Sequence, residues 1–272
     1  MASTDELWDP VFEVPEGYAD TLFRLDDRVA TVTGGGSGLG AAMAKGLAQA
    51  GAALAIVDVN DEGAARTVAT IEEQGGHAVA MHCDVTDKQA VDALADRVVA
   101  DLGRVDILIN SAGMAFRSPA EDFPEEEYDR IIDLNLKGTY LACQAFGRKL
   151  LAQRSGSIVN MASIGAFISY PHASAYNASK GAVLNLTRVL ALEWIDRGVR
   201  VNGIAPGLCD SPLTRARAKQ SSVTSDFLQA RMLRKELIIP RELVGAVIFL
   251  AGDASARVTG HTVLVDDGYT AV

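Results

Sequence analysis

Thr33-Gly34-Gly35-Gly36-Ser37-Gly38-Leu39-Gly40 decides the fold of this chain. It follows a β-branched run at 29–33 and opens an Ala- and Leu-rich stretch, 39–50, with the spacing of a helix. Glycines at a strand-to-helix turn let the backbone fold back tightly and leave room for a phosphate. The helix N-terminus adds N–H groups and a partial positive charge. The spacing is T-G-x-x-x-G-x-G; G-x-G-x-x-G fails from Gly38, because Met43 stands where its last glycine belongs. A plain tight turn could use the same glycines, so the rest of the chain has to decide.

Outward from this turn, short apolar runs alternate with longer helical segments. Strands are predicted at 29–33, 53–58, 78–83, 107–110, 157–161, 200–204 and 262–265, and helices at 39–50, 61–74, 88–102, 125–153, 175–196 and 240–251. Gly51 suits the end of the first helix, and Thr86 could cap the third. Near-continuous apolar strands separated by helices predict an α/β fold: a doubly wound, seven-stranded parallel sheet in a single domain, 26–272. Residues 1–25, with Pro10, Pro15, Trp8, Phe12 and Phe23, read as an irregular arm that packs on something, such as a neighbouring subunit. Segment 208–237 fits no strand–helix unit and reads as a long polar insertion, a substrate lid.

Of the 272 residues, 49% are apolar and 6% aromatic, and the net charge is −10. That charge argues against nucleic acid or an anionic membrane as partner. No apolar run approaches the roughly 18 residues of a membrane span, and the N-terminus lacks the basic and apolar regions of a secretory signal. Cys83, Cys143 and Cys209 are odd in number and form no CxxC, which predicts free thiols in a reducing cytoplasm. His77, His82, His172 and His261 show no metal-ligand spacing, so no metal is expected.

The predicted strand ends carry the remaining polar signals. Asp58 follows Gly38 by twenty residues, where a dinucleotide fold places the acid that accepts from the adenosine ribose hydroxyls. A carboxylate there repels a 2′-phosphate, and no Arg or Lys lies in 34–40 or just after Asp58, so NAD is expected over NADP. Asp84 and Val85 end the third strand, with the acid able to accept from an adenine amino group. Asn110, Ser111, Ala112 and Gly113 end the fourth, small enough for backbone to press on a cofactor. Tyr176 and Lys180 are four apart on a predicted helix and so share one face, and Ser163 lies thirteen residues upstream. An ammonium beside a phenol stabilises the phenolate, which suits proton transfer to or from an oxygen. Alone, that spacing is also what a packed ring and a solvated amine would give. Asn135 interrupts an apolar helical stretch, which is costly unless the amide is hydrogen-bonded.

Thr33–Gly40, Asp58, Asp84, Asn110–Gly113, Asn135, Ser163, Tyr176, Lys180 and Pro206-Gly207 occur together and in order, and over 25–268 the chain resembles the short-chain dehydrogenase/reductase family. The resemblance implies a nicotinamide cofactor and usually a homotetramer or dimer. It implies Gly34, Gly36, Ser37, Gly38, Leu39 and Gly40 at the pyrophosphate, and Tyr176 as general acid/base. Ser163 would bond the substrate oxygen, and Lys180 the nicotinamide ribose while lowering the tyrosine pKa. Asn135 would hold a water in a proton relay, and the backbone from Pro206 and Gly207 through Cys209 to Ser211 would meet the nicotinamide carboxamide. Three positions depart from the family pattern: Ser111 replaces a second Asn, Ser211 a Thr, and Asp267 a Gly.

The implied reaction is hydride exchange between the cofactor and a secondary alcohol or ketone. The substrate pocket is expected to use Ser163, Gly165, Phe167, His172 and Tyr176, with Phe116 and Tyr170 as further walls and Ser169 and Arg117 as further polar contacts; His172 reads equally as an ordinary loop histidine. Asn110–Gly113, Phe146-Gly147-Arg148 and Asp267-Gly268-Tyr269-Thr270 resemble members acting on sugar alcohols. A 3-oxoacyl thioester or a hydroxysteroid is the alternative substrate. Non-catalytic dinucleotide-binding relatives typically lose the tyrosine or lysine, and this chain keeps both.

Overall fold

The computed structural model describes residues 14–218 and 220–271. Trp8 and Phe12 of the predicted arm lie outside these residues, and Phe23 is half exposed. After a single helical turn, α1 (Tyr18–Thr21), the chain builds β1 (Val29–Thr33), α2 (Gly38–Gln49), β2 (Ala53–Asp58), α3 (Asp61–Glu73), β3 (Ala78–His82), α4 (Lys88–Leu102) and β4 (Ile107–Asn110). It continues through α5 (Glu125–Ile132), α6 (Thr139–Gln153), β5 (Gly156–Met161), α7 (Ser174–Trp194) and β6 (Val199–Pro206), then α8 (Pro212–Ala218), α9 (Ser222–Ala230), α10 (Val244–Ala251) and β7 (Thr262–Val265).

The strands form one parallel sheet in the order β3-β2-β1-β4-β5-β6-β7. Successive side chains of a strand point to opposite faces, so each strand feeds two cores. Ala30, Val32, Leu54, Ile56, Ile107 and Ile109 pack with Met43 and Leu47 of α2, Ile71 of α3 and Leu250 of α10. Val29, Val57, Leu108, Ile158 and Val201 pack with Leu94 and Val98 of α4, Phe146 and Leu150 of α6 and Trp194 of α7. Truncating the fully buried Phe146 to Ala should cost about 3–5 kcal/mol. Between β1 and β4 the strand order reverses, and that reversal opens a crevice at the carboxyl ends of the strands.

Several boundaries differ from the sequence reading, each for a local reason. The helix expected over 125–153 is broken by a π-helical turn, Asp133–Gly138. The helix expected from 240 begins with a 3₁₀ turn, Pro240–Leu243, because the proline opens it without an N–H. Asp87, not Thr86, caps α4 by accepting from the Gln89 and Ala90 amides; the Thr86 hydroxyl donates instead to Asp84. Cys83 lies just past β3, whereas β5 and β6 are longer than predicted. Segment 208–237 is not structureless, since it holds α8 and α9. Its base is a short pairing in which Ile238 N donates to Leu208 O and Asp210 N to Ile238 O. α9 is hidden in the sequence because only Thr224 and Leu228 of its side chains are buried, too few to show an apolar period.

Candidate active site

The glycine-rich turn is held from below. Thr33 Oγ1 accepts from the amides of Ser111 (3.2 Å) and Ala112 (3.4 Å), which ties the turn after β1 to the turn after β4. Gly34 sits at φ +65°, and a Cβ there would stand 2.8 Å from Ala112 backbone; one on Gly40 would stand 2.1 Å from Gly34 O. These positions exclude any side chain. Ser37 opens α2 in extended conformation without capping it through its own side chain. The first-turn N–H groups of α2 are thus left for another acceptor, the arrangement that suits a pyrophosphate.

Asp58 ends β2 with both carboxylate oxygens fixed: Oδ2 accepts from Gly36 N and Oδ1 from Asn60 N, each at 2.9 Å. Gly36 therefore acts through Asp58 and does not line the cleft itself, and a Cβ on it would meet Oδ2 at 2.8 Å. Asp84 lines the cleft with Val85, and its Oδ1 accepts from the Thr86 amide and hydroxyl. The residues present fit a dinucleotide: a Cβ-free cradle, an oriented carboxylate and uncapped helical N–H groups.

Asn110 departs from the expected cofactor contact. Its side chain is buried in the sheet, where Nδ2 donates to Asn160 Oδ1 (2.9 Å) and to Cys143 Sγ (3.2 Å), while Asn160 Nδ2 donates to Thr187 Oγ1 (3.0 Å). Burial pushes the Cys143 thiol up to about 12 and the cleft-lining Cys83 thiol up to about 11, so neither supplies a thiolate near neutral pH.

Ser163, Tyr176 and Lys180 come from two elements that meet at the same crevice. Tyr176 and Lys180 lie on the buried face of α7, and Lys180 Nζ donates to Met161 O (2.7 Å) at the end of β5, 5.9 Å from the Tyr176 ring centre. Ser163 follows β5 and accepts from Gly165 N at 3.1 Å, so its own proton is directed elsewhere. All three line one cleft of about 330 Å³ with Ser37, Gly38, Asp58, Ala112, Gly113, Pro206, Gly207, Cys209 and Ser211. Asn135 is fully buried in the π-helical turn: Oδ1 accepts from Met114 N (2.8 Å), Nδ2 donates to Met114 O (2.9 Å) and Ser179 Oγ (3.1 Å), and Asn135 O accepts from Thr139 Oγ1 (2.7 Å). The amide thus clamps the loop after β4 beside α7. Its side chain is one shell back from the cleft.

The substrate end differs more from expectation. Gly165, Phe167, Ser169 and His172 line a neighbouring hollow and not the main cleft, and Phe116 packs edge-on against Phe123. His172, at φ +60°, shares a hydrogen bond with Ser221 Oγ (3.0 Å). The reason is the turn Ile164–Ala166, which carries the chain away from the cleft directly after Ser163. Of the expected wall, Arg117 and Tyr170 do line the cleft, joined by Ile164 and, from segment 208–237, by Leu208 and Leu228, with Pro212, Leu213 and Thr214 above the glycine-rich turn. Pro212 would be 3.5 Å from a Cβ on Gly38. No sequence signal marks Leu228 or the Met161 carbonyl, because both owe their place to tertiary packing. Asp267 adopts φ +52°, the conformation its family glycine would take, and pairs with Arg234 at 3.5 Å. Among the described residues no cluster of His, Cys, Asp and Glu could hold a metal, and no helix is long and apolar enough to cross a membrane.

A family model described as "Enoyl-(Acyl carrier protein) reductase" matches residues 34–270. The chain is 42% identical over 258 residues to a D-threitol dehydrogenase of Mycolicibacterium smegmatis, covering 95% of this chain and 98% of that one. It is 39% identical over 254 residues to 3beta-hydroxysteroid dehydrogenase 1 of Eggerthella lenta, covering 90% and 95%. Among solved structures, a gluconate 5-dehydrogenase from Burkholderia cenocepacia in complex with NADP and tartrate superposes with a TM-score of 0.88 at 37% identity, over 93% of this chain and 99% of that one.

Proposed function

Because the chain belongs to the short-chain dehydrogenase/reductase family, we propose that it is an NAD-dependent dehydrogenase that interconverts a secondary alcohol and a ketone on a polyol or sugar alcohol. The observation that carries this is the convergence of Ser163, Tyr176 and Lys180 on one cleft with the glycine-rich turn. A carbonyl or carbinol oxygen between two hydroxyls is the arrangement for moving one proton while a hydride leaves the same carbon. When bound, NAD supplies the hydride acceptor.

The protein's part is positioning and proton management. The first turn of α2 would hold the pyrophosphate, Asp58 the adenosine ribose, Asp84 the adenine side, and Lys180 the nicotinamide ribose. Ser163 holds the alcohol oxygen through the proton that Gly165 N leaves it to donate. Tyr176, as phenolate, takes the hydroxyl proton, and the Lys180 ammonium stabilises that phenolate. The proton then leaves past Lys180 on the Asn135 side.

NAD is preferred over NADP on the chemistry of Asp58. Its carboxylate, held by the Gly36 and Asn60 amides, would repel a 2′-phosphate on the adenosine ribose, and the cations lining the cleft, Arg117 and Lys180, stand beyond β4 and on α7. The NADP bound to the gluconate 5-dehydrogenase belongs to that protein. Three buried free thiols suit a cytoplasmic enzyme, and we assign it a homotetramer as its assembly. Segment 208–237 acts as the lid. A panel of polyols, 3-hydroxysteroids and 3-hydroxyacyl thioesters, each with NAD and with NADP and followed by nicotinamide absorbance, tests the reading. Turnover of polyols with NAD is expected; turnover confined to the steroid or thioester would overturn the substrate class.

A further inference from the structure

We propose that Asn160 and Thr187, neither of which lines the cleft, are positioning residues: the hydrogen bond between them sets how α7 stands on β5, and so the gap between Ser163 and Tyr176 that an alcohol oxygen must fit. The inference rests on the alcohol dehydrogenase reading above and concerns how that site keeps its shape.

The reacting groups hang from two separate elements. Ser163 follows the end of β5, whereas Tyr176 and Lys180 ride on α7. One oxygen can lie between both hydroxyls only if the helix keeps one distance and one tilt against the strand, to about 0.5 Å. Strand and helix are linked at the cleft, where Lys180 Nζ donates to Met161 O at 2.7 Å. They are linked again about two turns further along α7, where Asn160 Nδ2 donates to Thr187 Oγ1 at 3.0 Å. A single link leaves a pivot; a second one fixes the tilt. The link through Thr187 also does not depend on the ligand, whereas the Lys180 ammonium is called on by a ribose and a phenol.

The buried stripe of α7 includes Tyr176, Lys180, Val183, Thr187, Leu190 and Trp194 at helical spacing, with Thr187 between two apolar neighbours. Asn160 is fully buried in β5 and points to the same face as Ile158. The bond directions are determined. Thr187 Oγ1 gives its one proton to Val183 O at 2.8 Å, so it accepts from Asn160. Asn160 Oδ1 accepts from Asn110 Nδ2 at 2.9 Å, and Asn110 stands opposite it in the register of β4 and β5. A buried chain of bonds thus runs from the central strand through Asn160 to α7. A valine at 187 would fill the stripe as Val183 does, with no polar group to bury, and a satisfied buried bond adds little net stability. What such a network supplies is one defined packing where apolar side chains could settle in several.

The wild type, Thr187→Val and Thr187→Ser can be compared on the alcohol of the panel that is turned over fastest with NAD. Thr187→Val should lower kcat roughly 5- to 50-fold, with the alcohol KM and the Kd of NADH within about twofold of the wild type. It should also show a full primary deuterium isotope effect on kcat, because the hydride step becomes the slow one. Thr187→Ser keeps the hydroxyl and should recover most of kcat. A lower melting temperature in Thr187→Val with kcat unchanged would make the bond purely structural and overturn the proposal. A loss of kcat without the full isotope effect, or an equal loss in Thr187→Ser, would overturn it too. If Thr187→Val does not fold, Thr187→Ala takes its place against Thr187→Ser. Absence of turnover by the wild type on every alcohol would strike the dehydrogenase reading instead, and crystal structures would then decide the role of the bond. The distance from Ser163 Oγ to Tyr176 Oη should shift by about 0.5 Å or more in Thr187→Val and not in Thr187→Ser; an unchanged distance in both overturns the positioning role.

Discussion

At the scale of single residues, the chemistry depends on which proton each hydroxyl can give. Tyr176 is the group proposed to exchange the substrate proton, so Tyr176→Phe should lower kcat about 10²- to 10⁴-fold while NADH binding, measured by fluorescence, changes little. Retained turnover would remove Tyr176 from the mechanism. Asp58 holds its position through two backbone amides. Asp58→Ala should therefore shift the kcat/KM preference from NAD toward NADP by roughly 10- to 100-fold, and an unchanged ratio in steady-state assays would refute the ribose assignment. Much of this was legible in the chain itself. Residue type and spacing place Tyr176, Lys180 and Asp58 because each sits at a fixed register on a regular element. Asn110 misled, since its strand-end position suits a cofactor contact equally well, and the deciding partner, Asn160, is fifty residues away. Gly165, Phe167 and His172 misled because a loop's direction is set by what it packs on, and the sequence does not display that.

Among the elements, those of the sheet and the helices packed on it were the readable part, and the segment between β6 and Pro240 was not. β1, β2 and β4 begin and end where the apolar runs do, since a strand buried on both faces leaves a continuous signature; the edge strand β7 keeps its predicted bounds although Leu264 is exposed. The π-helical turn left no such mark; it appears where Asn135 is drawn toward Met114 and Ser179. The segment proposed as the lid is pinned from the C-terminal side: Tyr269, 2% exposed, donates its hydroxyl to Leu228 O at 3.1 Å. Tyr269→Phe should raise the alcohol KM about 2- to 10-fold with less change in kcat, and an unaltered KM would show that this bond does not hold the lid. Burial raises the Tyr269 phenol above its ordinary value, against the opposing charge of Arg231. A raised value means stability fully present below the unfolded pKa, about 10, and lost as pH climbs through the folded one. The melting-temperature gap between wild type and Tyr269→Phe should accordingly close only on the alkaline side.

For the molecule as a whole, two apolar cores clasp one sheet, and the crevice lies at its central reversal. A ligand there would meet the carboxyl ends of six strands, β1 to β6, and stabilise the whole chain by binding only the folded form. NADH at a hundred times its Kd should contribute about 2.7 kcal/mol, a rise of about 5–10 °C in Tm. NADPH at the same concentration should raise it less, and equal shifts in differential scanning fluorimetry would count against the preference drawn from Asp58.

Pro212 stands over the glycine-rich turn while Leu228 walls the substrate end, and both belong to the single segment based on Leu208 and Ile238. The floor beneath is locked, with Gly34 against Ala112. If this segment is the proposed lid, one gate would serve two passengers, and neither the nucleotide nor the product would depart without the same outward swing. Release, and not bond cleavage, is then expected to limit each cycle. Deuterium at the carbinol carbon should slow kcat by less than about twofold, as expected where opening limits turnover; a full primary isotope effect would mean that the two ligands leave by separate routes.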